Sequence, residues 1–212
     1  AAISFPYAQM KTSITNAIWD LNAAKITMSK PDDVDISSSY FYTTREELDS
    51  LVFNATDAIY DINTYKLNIK GIPYIIVADA EIIPDNNETT ILANAELQQF
   101  ENAKLKIDTL NEFHYLTQGN LKILSRNAFE GNAMYELITA AEDTFSIKFE
   151  SFELMDIPRG KKDETKKMTV SGGAVSESEK VQISPGFLFK GETTMYADKE
   201  SLELNGLVKL DL

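Results

Sequence analysis

The sequence predicts an all-β chain of stacked short strands and hairpins, with at most one or two short helical turns. Three observations carry that expectation. Ala17-Ile-Trp-Asp-Leu-Asn-Ala-Ala-Lys-Ile-Thr-Met28 returns without a gap, 41 residues on, as Ala58-Ile-Tyr-Asp-Ile-Asn-Thr-Tyr-Lys-Leu-Asn-Ile69. Within each copy the apolar residues alternate: Ala58, Tyr60 and Ile62, then Leu67 and Ile69, fall on one face of a strand–turn–strand unit. Elsewhere apolar runs stay short and are broken by Gly, Pro, Asn and Asp. A hairpin with one apolar face is marginal alone and needs a neighbour to cover it. Repetition supplies such neighbours, and its natural product is a stacked, repetitive β structure.

In chain order, residues 1–30 hold the first hairpin, introduced by the apolar Ile3-Ser-Phe-Pro-Tyr7. Residues 31–36 read as a turn-rich connector and 37–42 as a strand. Thr44-Arg-Glu-Glu47 has the form of a capping box and predicts one helical turn to about Leu51. After the second hairpin, Tyr74-Ile-Ile-Val-Ala78 is nearly continuous in apolar residues, as in a strand covered on both faces. Pro84-Asp-Asn-Asn-Glu88 is a turn between strands at 80–83 and 89–93. Residues 103–107 alternate, turn through 108–111 and resume at 113–116, and Gly119-Asn120 separates off a strand at 121–124. Residues 133–141 fit a strand over their first half, or a helical face of Met134, Leu137, Ile138 and Ala141. Residues 145–149 alternate again. Composition then shifts abruptly at Arg159-Gly-Lys-Lys-Asp-Glu-Thr-Lys-Lys-Met168, and 158–180 is expected to be a charged flexible loop or insertion. Short strands resume at 181–183, 186–189, 194–197, 202–204 and 207–212, with Asn205-Gly206 as a hairpin turn. The chain thus divides into a repetitive β region at 1–157, the charged segment at 158–180 and a continuation at 181–212. It starts at Ala1 and stops within a strand pattern, and is expected to be a fragment of a longer chain.

Composition narrows the function classes. With 43% hydrophobic and 25% charged residues over 212 positions, the chain can bury a sizeable core. The formal charge of −13 repels nucleic acid and anionic lipid, so neither is an expected partner. The absence of cysteine removes disulfides, thiolate zinc sites and thiol nucleophiles. No run approaches the roughly 20 apolar residues of a membrane-spanning helix.

No catalytic pattern stands out. His114 is the only histidine, which rules out a metal site with two histidine ligands from this chain; a strand histidine is the ordinary reading. No serine sits in an elbow motif to mark the nucleophile of a triad. The acidic turns Asp32, Asp33, Asp35 and Asp85, Asn86, Asn87, Glu88 lack the ligand spacing of a calcium loop, and turn formation explains both. Tyrosines and carboxylates are numerous enough for a carbohydrate groove, although aromatics also fill β cores. Neither a cofactor nor a metal is implied, and the chain is read as non-enzymatic. The residues named for partner contact are Lys161, Lys162, Lys166 and Lys167 of the charged segment, with the aromatic pair Phe187 and Phe189.

Phe53-Asn-Ala-Thr-Asp-Ala-Ile-Tyr-Asp61, Gly71-Ile-Pro-Tyr-Ile-Ile-Val-Ala-Asp-Ala-Glu-Ile82, Ser184-Pro-Gly-Phe-Leu-Phe-Lys-Gly191 and the stretch 202–210 resemble segments of very large exported β-repeat proteins of the Bacteroidota. That group includes the plug subunit on the periplasmic side of the type IX secretion translocon. The Tyr-Asp, turn, Lys-Leu rhythm is also similar to OstA-like lipopolysaccharide-transport repeats. These resemblances imply a β-solenoid or an OstA-like β-jellyroll. They further imply a periplasmic or outer-membrane-associated location, and a large outer-membrane β-barrel complex as partner. The implied role is occlusion of, or association with, a protein-secretion channel. A lipopolysaccharide-carrying groove and a carbohydrate-binding or carbohydrate-active β-helical protein are the alternatives. Asp49-Ser50-Leu51 and Asp108-Thr109-Leu110 match the short glycosylation motif of exported proteins from that phylum, which points the same way.

Overall fold

The computed structural model describes residues 3–140, 142–158 and 165–211. In its first part, successive hairpins alternate between two antiparallel sheets. β1 (Ile3–Phe5) and β2 (Met10–Thr12) lie in one, and β3 (Asn16–Asp20) and β4 (Lys25–Ser29) in the other. β5 (Tyr40–Thr43) and β6 (Val52–Asn54) return to the first sheet, β7 (Asp57–Asp61) and β8 (Lys66–Lys70) to the second. The two copies of the repeated stretch are therefore neighbouring hairpins of one sheet. Across the β4–β7 junction Lys25 faces Asp61, Ile26 faces Tyr60 and Met28 faces Ala58.

The aspartate common to both copies builds the turn. Asp20 Oδ1 accepts from the backbone N–H of Asn22 and of Ala23, each at 2.9 Å. Asp61 Oδ1 accepts from Asn63 at 3.0 Å and Thr64 at 2.9 Å. Such side-chain turns fix where the chain reverses and so fix the hairpin register. Inward residues of the first sheet (Phe5, Met10, Phe41, Phe53) meet those of the second (Met28, Ala58, Leu67, Ile69) in one core. Phe5 and Tyr60 close the contact with ring centroids 4.9 Å apart. Full burial of one such large side chain contributes about 1.5–3 kcal/mol.

β9 (Ile75–Val77) abuts β6 and starts a third sheet with β10 (Ala80–Ile83), while β11 (Glu88–Ile91) completes the second sheet beside β8. The third sheet continues through β12 (Phe100–Ile107), β13 (His114–Ser125), β14 (Ala128–Ile138) and β15 (Thr144–Phe149). One residue later β16 (Ser151–Pro158) crosses into a fourth sheet with β17 (Thr165–Val175), β18 (Val181–Ser184), β19 (Phe187–Tyr196) and β20 (Glu203–Leu210). β17 and β18 share one edge of β19, and β20 takes the other. The all-β expectation holds, as stacked antiparallel hairpins without a closed barrel.

Two buried polar groups fasten the third sheet to the fourth. Asp79, between β9 and β10, accepts hydrogen bonds from both the backbone N–H (2.8 Å) and the hydroxyl of Thr169 in β17. His114, fully buried, places Nε2 between the carbonyls of Tyr196 (3.2 Å) and Lys199 (2.7 Å). Two carbonyl acceptors put the ring proton on Nε2 and leave Nδ1 to accept from the Tyr135 hydroxyl at 3.2 Å. Burial raises the pKa of that tyrosine and keeps it a donor. Gly173 makes the close approach of β17 to β15 feasible: a Cβ there would lie 2.2 Å from the carbonyl oxygen of Lys148.

Several local expectations are corrected. β9 is covered on one face only, with Ile76 exposed between buried Ile75 and Val77, because Ile76 shares its face with Glu81 and Lys106 and that face meets solvent. Gly119-Asn120 does not divide two strands; β13 runs through it, absorbing the irregularity as a register shift with Gln118 at φ 52°. Over 133–141 the strand reading of the first half holds, and strand continues to Ile138, since β13 and β15 pair both edges of β14. Residues 186–189 and 194–197 belong largely to the single strand β19. Asn205-Gly206 likewise lies inside β20, where Gly206 faces Gly191 and a Cβ would meet the Lys190 carbonyl oxygen at 2.1 Å. The predicted helical turn is a short 3-10 turn at Glu46–Leu48. The hydroxyl of Thr43, not Thr44, accepts from the Arg45 N–H at its start. Of the segment expected as a charged loop, residues 165–175 are strand β17, held between β16 and β19; residues 159–164 lie outside the described part.

Candidate functional site

The features of this surface that ask for an explanation are two open sheet edges. β3 is the outermost strand of the second sheet, with every residue exposed. Trp19 is 62% exposed, whereas Tyr60, in the same place in the second copy, is 7% exposed. Phe5 covers Tyr60, but Trp19 stands one hairpin further out, beside exposed Ile18 and Leu21.

β20 forms the other edge, and it too is exposed throughout. Its Leu204 pairs with buried Thr193 and its Val208 with buried Phe189, so both continue the buried face of the sheet into solvent. Leu210 extends that row, and Leu207 is exposed on the opposite face. Edge strands with unpaired backbone groups and apolar side chains are templates for a further strand.

An open cleft of about 530 Å³ adjoins the β20 edge. Phe113, Tyr135, Ile138 and Leu202 line it, with Glu136 and Glu200 among its polar groups. A smaller polar cleft of about 190 Å³ includes Asp85, Asn86 and Glu88. Asp85 is engaged there by the side-chain amides of Asn86 (2.7 Å) and Asn102 (3.1 Å). Among the described residues no three acidic or histidine side chains converge as a metal site.

Four carboxylates are held below the usual range, each for a structural reason. Asp35 accepts from Ser37, Glu47 from its own backbone N–H and Arg45, Asp61 from Thr64, and Glu177 pairs with Lys190. Of the two glycosylation-motif hydroxyls, Ser50 is exposed and Thr109 half-buried.

The contact residues named from the sequence do not form one patch. Lys161 and Lys162 lie outside the described residues, and Lys166 is placed only by its backbone, opposite Ile157. Lys167 pairs with Asp156 at 2.9 Å across the β16–β17 ladder, so its charge is partnered locally. Phe187 is 42% exposed, but Phe189 is 4% exposed and belongs to the core, because β18 and β20 flank it. Lys167 and Phe187 sit towards opposite ends of the fourth sheet. Sequence reasoning did not single out Trp19 and Leu204; the alternation around each is that of a half-buried strand, and their exposure follows from the outer place of β3 and β20 among the described strands. No protein-family model matches the chain, and comparison with curated proteins and with solved structures finds no match.

Proposed function

We propose that this chain is a non-enzymatic binding module that engages a protein partner by strand pairing at its open edges. The observation that carries this reading is β20, a strand exposed over its whole length whose inward face offers Leu204, Val208 and Leu210. Backbone pairing supplies affinity in such contacts, and alternate side chains supply selectivity. The likeness to exported Bacteroidota β-repeat proteins supports a large outer-membrane β-barrel complex of protein secretion as the partner, approached from the periplasm. The space between the first and second sheets is filled by buried side chains such as Phe41, Met28, Leu67 and Ile69. A filled interior favours a blocking or docking role over a groove that carries lipid.

The test is affinity purification of the tagged parent protein from its native membranes, beside a Leu204→Lys variant. Recovery of an outer-membrane barrel at fixed stoichiometry, lost in the variant, is the expected result. Recovery of the protein alone, or of the same barrel with both forms, ends the edge-pairing reading.

The cleft bounded by Phe113, Tyr135 and two glutamates favours a second reading, a carbohydrate-binding module. Glycan-array binding that a Phe113→Ala substitution abolishes supports it, and an array without signal removes it.

A further inference from the structure

The polar cleft of about 190 Å³ forms where the second sheet gives way to the third. β11 is the edge of the second sheet opposite to β3. The segment that follows covers part of its free side: Ile91 bridges Leu97, and the Gln98 N–H donates to the Thr90 carbonyl at 2.9 Å. The chain then leaves for the third sheet, where β12 begins at Phe100. Glu88 and Thr89, before that cover, line the resulting gap together with Phe100 and Glu101.

Phe100, 5% exposed, is the only apolar residue among those lining the cleft. Asn68, Asn86, Gln98 and Gln99 contribute side-chain amides. Asp85, Glu88 and Glu101 contribute carboxylates, and no lysine or arginine joins them in the lining. Part of this set is already oriented. The amides of Asn86 and Asn102 hold Asp85 at 2.7 and 3.1 Å, and the Asn68 amide donates to the Thr90 hydroxyl at 3.3 Å. Gln98, Gln99 and Glu101 are exposed, and their side chains have no partner among the described residues. Thr89 stands out beside them. It is 6% exposed, and its hydroxyl oxygen is the one buried side-chain polar atom among the described residues without a hydrogen-bond partner. A buried hydroxyl is costly to leave unpaired.

Amide N–H groups donate and carboxylates accept, so side by side they match a ligand group that does both. A sugar hydroxyl is such a group. We infer that this cleft binds one ring of a neutral saccharide, its hydroxyls accepting from the amides of Gln98 and Gln99 and donating to Asp85 and Glu101. A further ring hydroxyl, directly or through one water, pairs with Thr89. The three carboxylates, in a chain of formal charge −13, reject uronic acids and phosphorylated sugars. The acidic groups do not converge as metal ligands. Phe100 opens β12 and Phe113 lies beyond its other end, so this cleft is separate from the one that adjoins β20. A single ring with one apolar contact binds weakly, and millimolar affinity is expected.

The test is titration of the isotope-labelled, purified chain with glucose, galactose, mannose and N-acetylglucosamine, followed by NMR of its amide groups. Glucuronate and calcium chloride are titrated in parallel. At least one neutral sugar should give saturable shifts of the Asn68, Gln98 and Gln99 side-chain amides, and glucuronate should give none. Gln99→Ala and Glu101→Gln, both at exposed sites, should each weaken that binding about fivefold or more. Thr89→Val keeps the side-chain shape and removes the unpaired hydroxyl. It should weaken binding similarly, with the denaturation midpoint equal or higher.

No saturable shift with any neutral sugar overturns the inference, as does glucuronate binding equally well or binding that survives all three substitutions. Shifts around Asp85 and Glu88 with calcium chloride alone make the cleft a cation site and overturn it too. Sugar-induced shifts confined to the surroundings of Phe113 and Tyr135 also overturn it, while supporting the carbohydrate reading of that other cleft. The barrel-partner reading keeps its own purification test throughout.

Discussion

The hairpins β3–β4 and β7–β8 have nearly the same sequence and different fates. Both turn on an aspartate, both set an apolar face inward, and they lie side by side in one sheet. Yet Tyr60 is packed under Phe5 while Trp19 stands in solvent. The repeat encodes a strand pair and its register, and the neighbours decide whether its apolar face is covered. Burial here is a property of position in the stack.

That comparison can be broken by substitution. Tyr60→Ala should cost about 3–5 kcal/mol in chemical denaturation, as expected for a large aromatic removed from a packed core. Trp19→Ala, the matching change in the outer copy, should stay within about 0.5 kcal/mol in the monomer. Equal losses would show that the outer hairpin is covered after all.

Gly71 sharpens the contrast, because the first copy has Lys30 in its place. Gly71 adopts φ 66°, and a Cβ there would lie 1.9 Å from Thr56 Oγ1. Gly71→Ala should therefore lower stability by about 1–3 kcal/mol, measured as a shift in denaturation midpoint at unchanged slope. A lysine is accommodated at one copy's exit and excluded at the other's.

His114→Ala should remove about 1–3 kcal/mol by leaving the Tyr196 and Lys199 carbonyls without their donor. Its effect should appear as faster amide exchange in the 197–200 turn, with the β3–β4 hairpin unchanged.

The smallest effect concerns the turn aspartate of the inner copy. Hydrogen bonds from Thr64 hold Asp61 below the ordinary aspartate value, so the carboxylate is the stabilising form. Its contribution should be complete above the unfolded-state pKa of about 3.9 and be lost as the pH falls through the lower folded value. A carboxyl titration followed by NMR reads this, and Asp61→Asn should remove only the share of the acid-side pH dependence that Asp61 supplies, with those of Asp35, Glu47 and Glu177 kept.

What could be read from the sequence was local. Repetition, alternation and a short polar turn identified both hairpins because those signals act over a few residues; that Asp20 and Asp61 build the turns emerged only with the structure. Asn205-Gly206 was misread because a favourable turn dipeptide can also sit in a ladder, and here Gly191 opposite makes the close approach feasible. β17 was hidden by its lysines: Lys166 and Lys167 give it the composition of a loop, while Thr169 and Ser171 are buried by partners far away in sequence. The open edges were illegible for the same reason. Among the described residues Leu204 has strand β19 on one side only, and which strands flank it is set by pairing that no short window of sequence contains.

The two buried polar fastenings divide the molecule kinetically. Asp79–Thr169 and His114–Lys199 join positions 90 and 85 residues apart, so the fourth sheet cannot detach without stranding a carboxylate and an imidazole in an apolar interior. The alternating hairpins of the first part meet mainly their neighbours along the chain, and can open from the β3 end one ladder at a time. Under load or during breathing, the amino-terminal stack should yield in small reversible steps, while the carboxy-terminal half holds and then fails as a single unit.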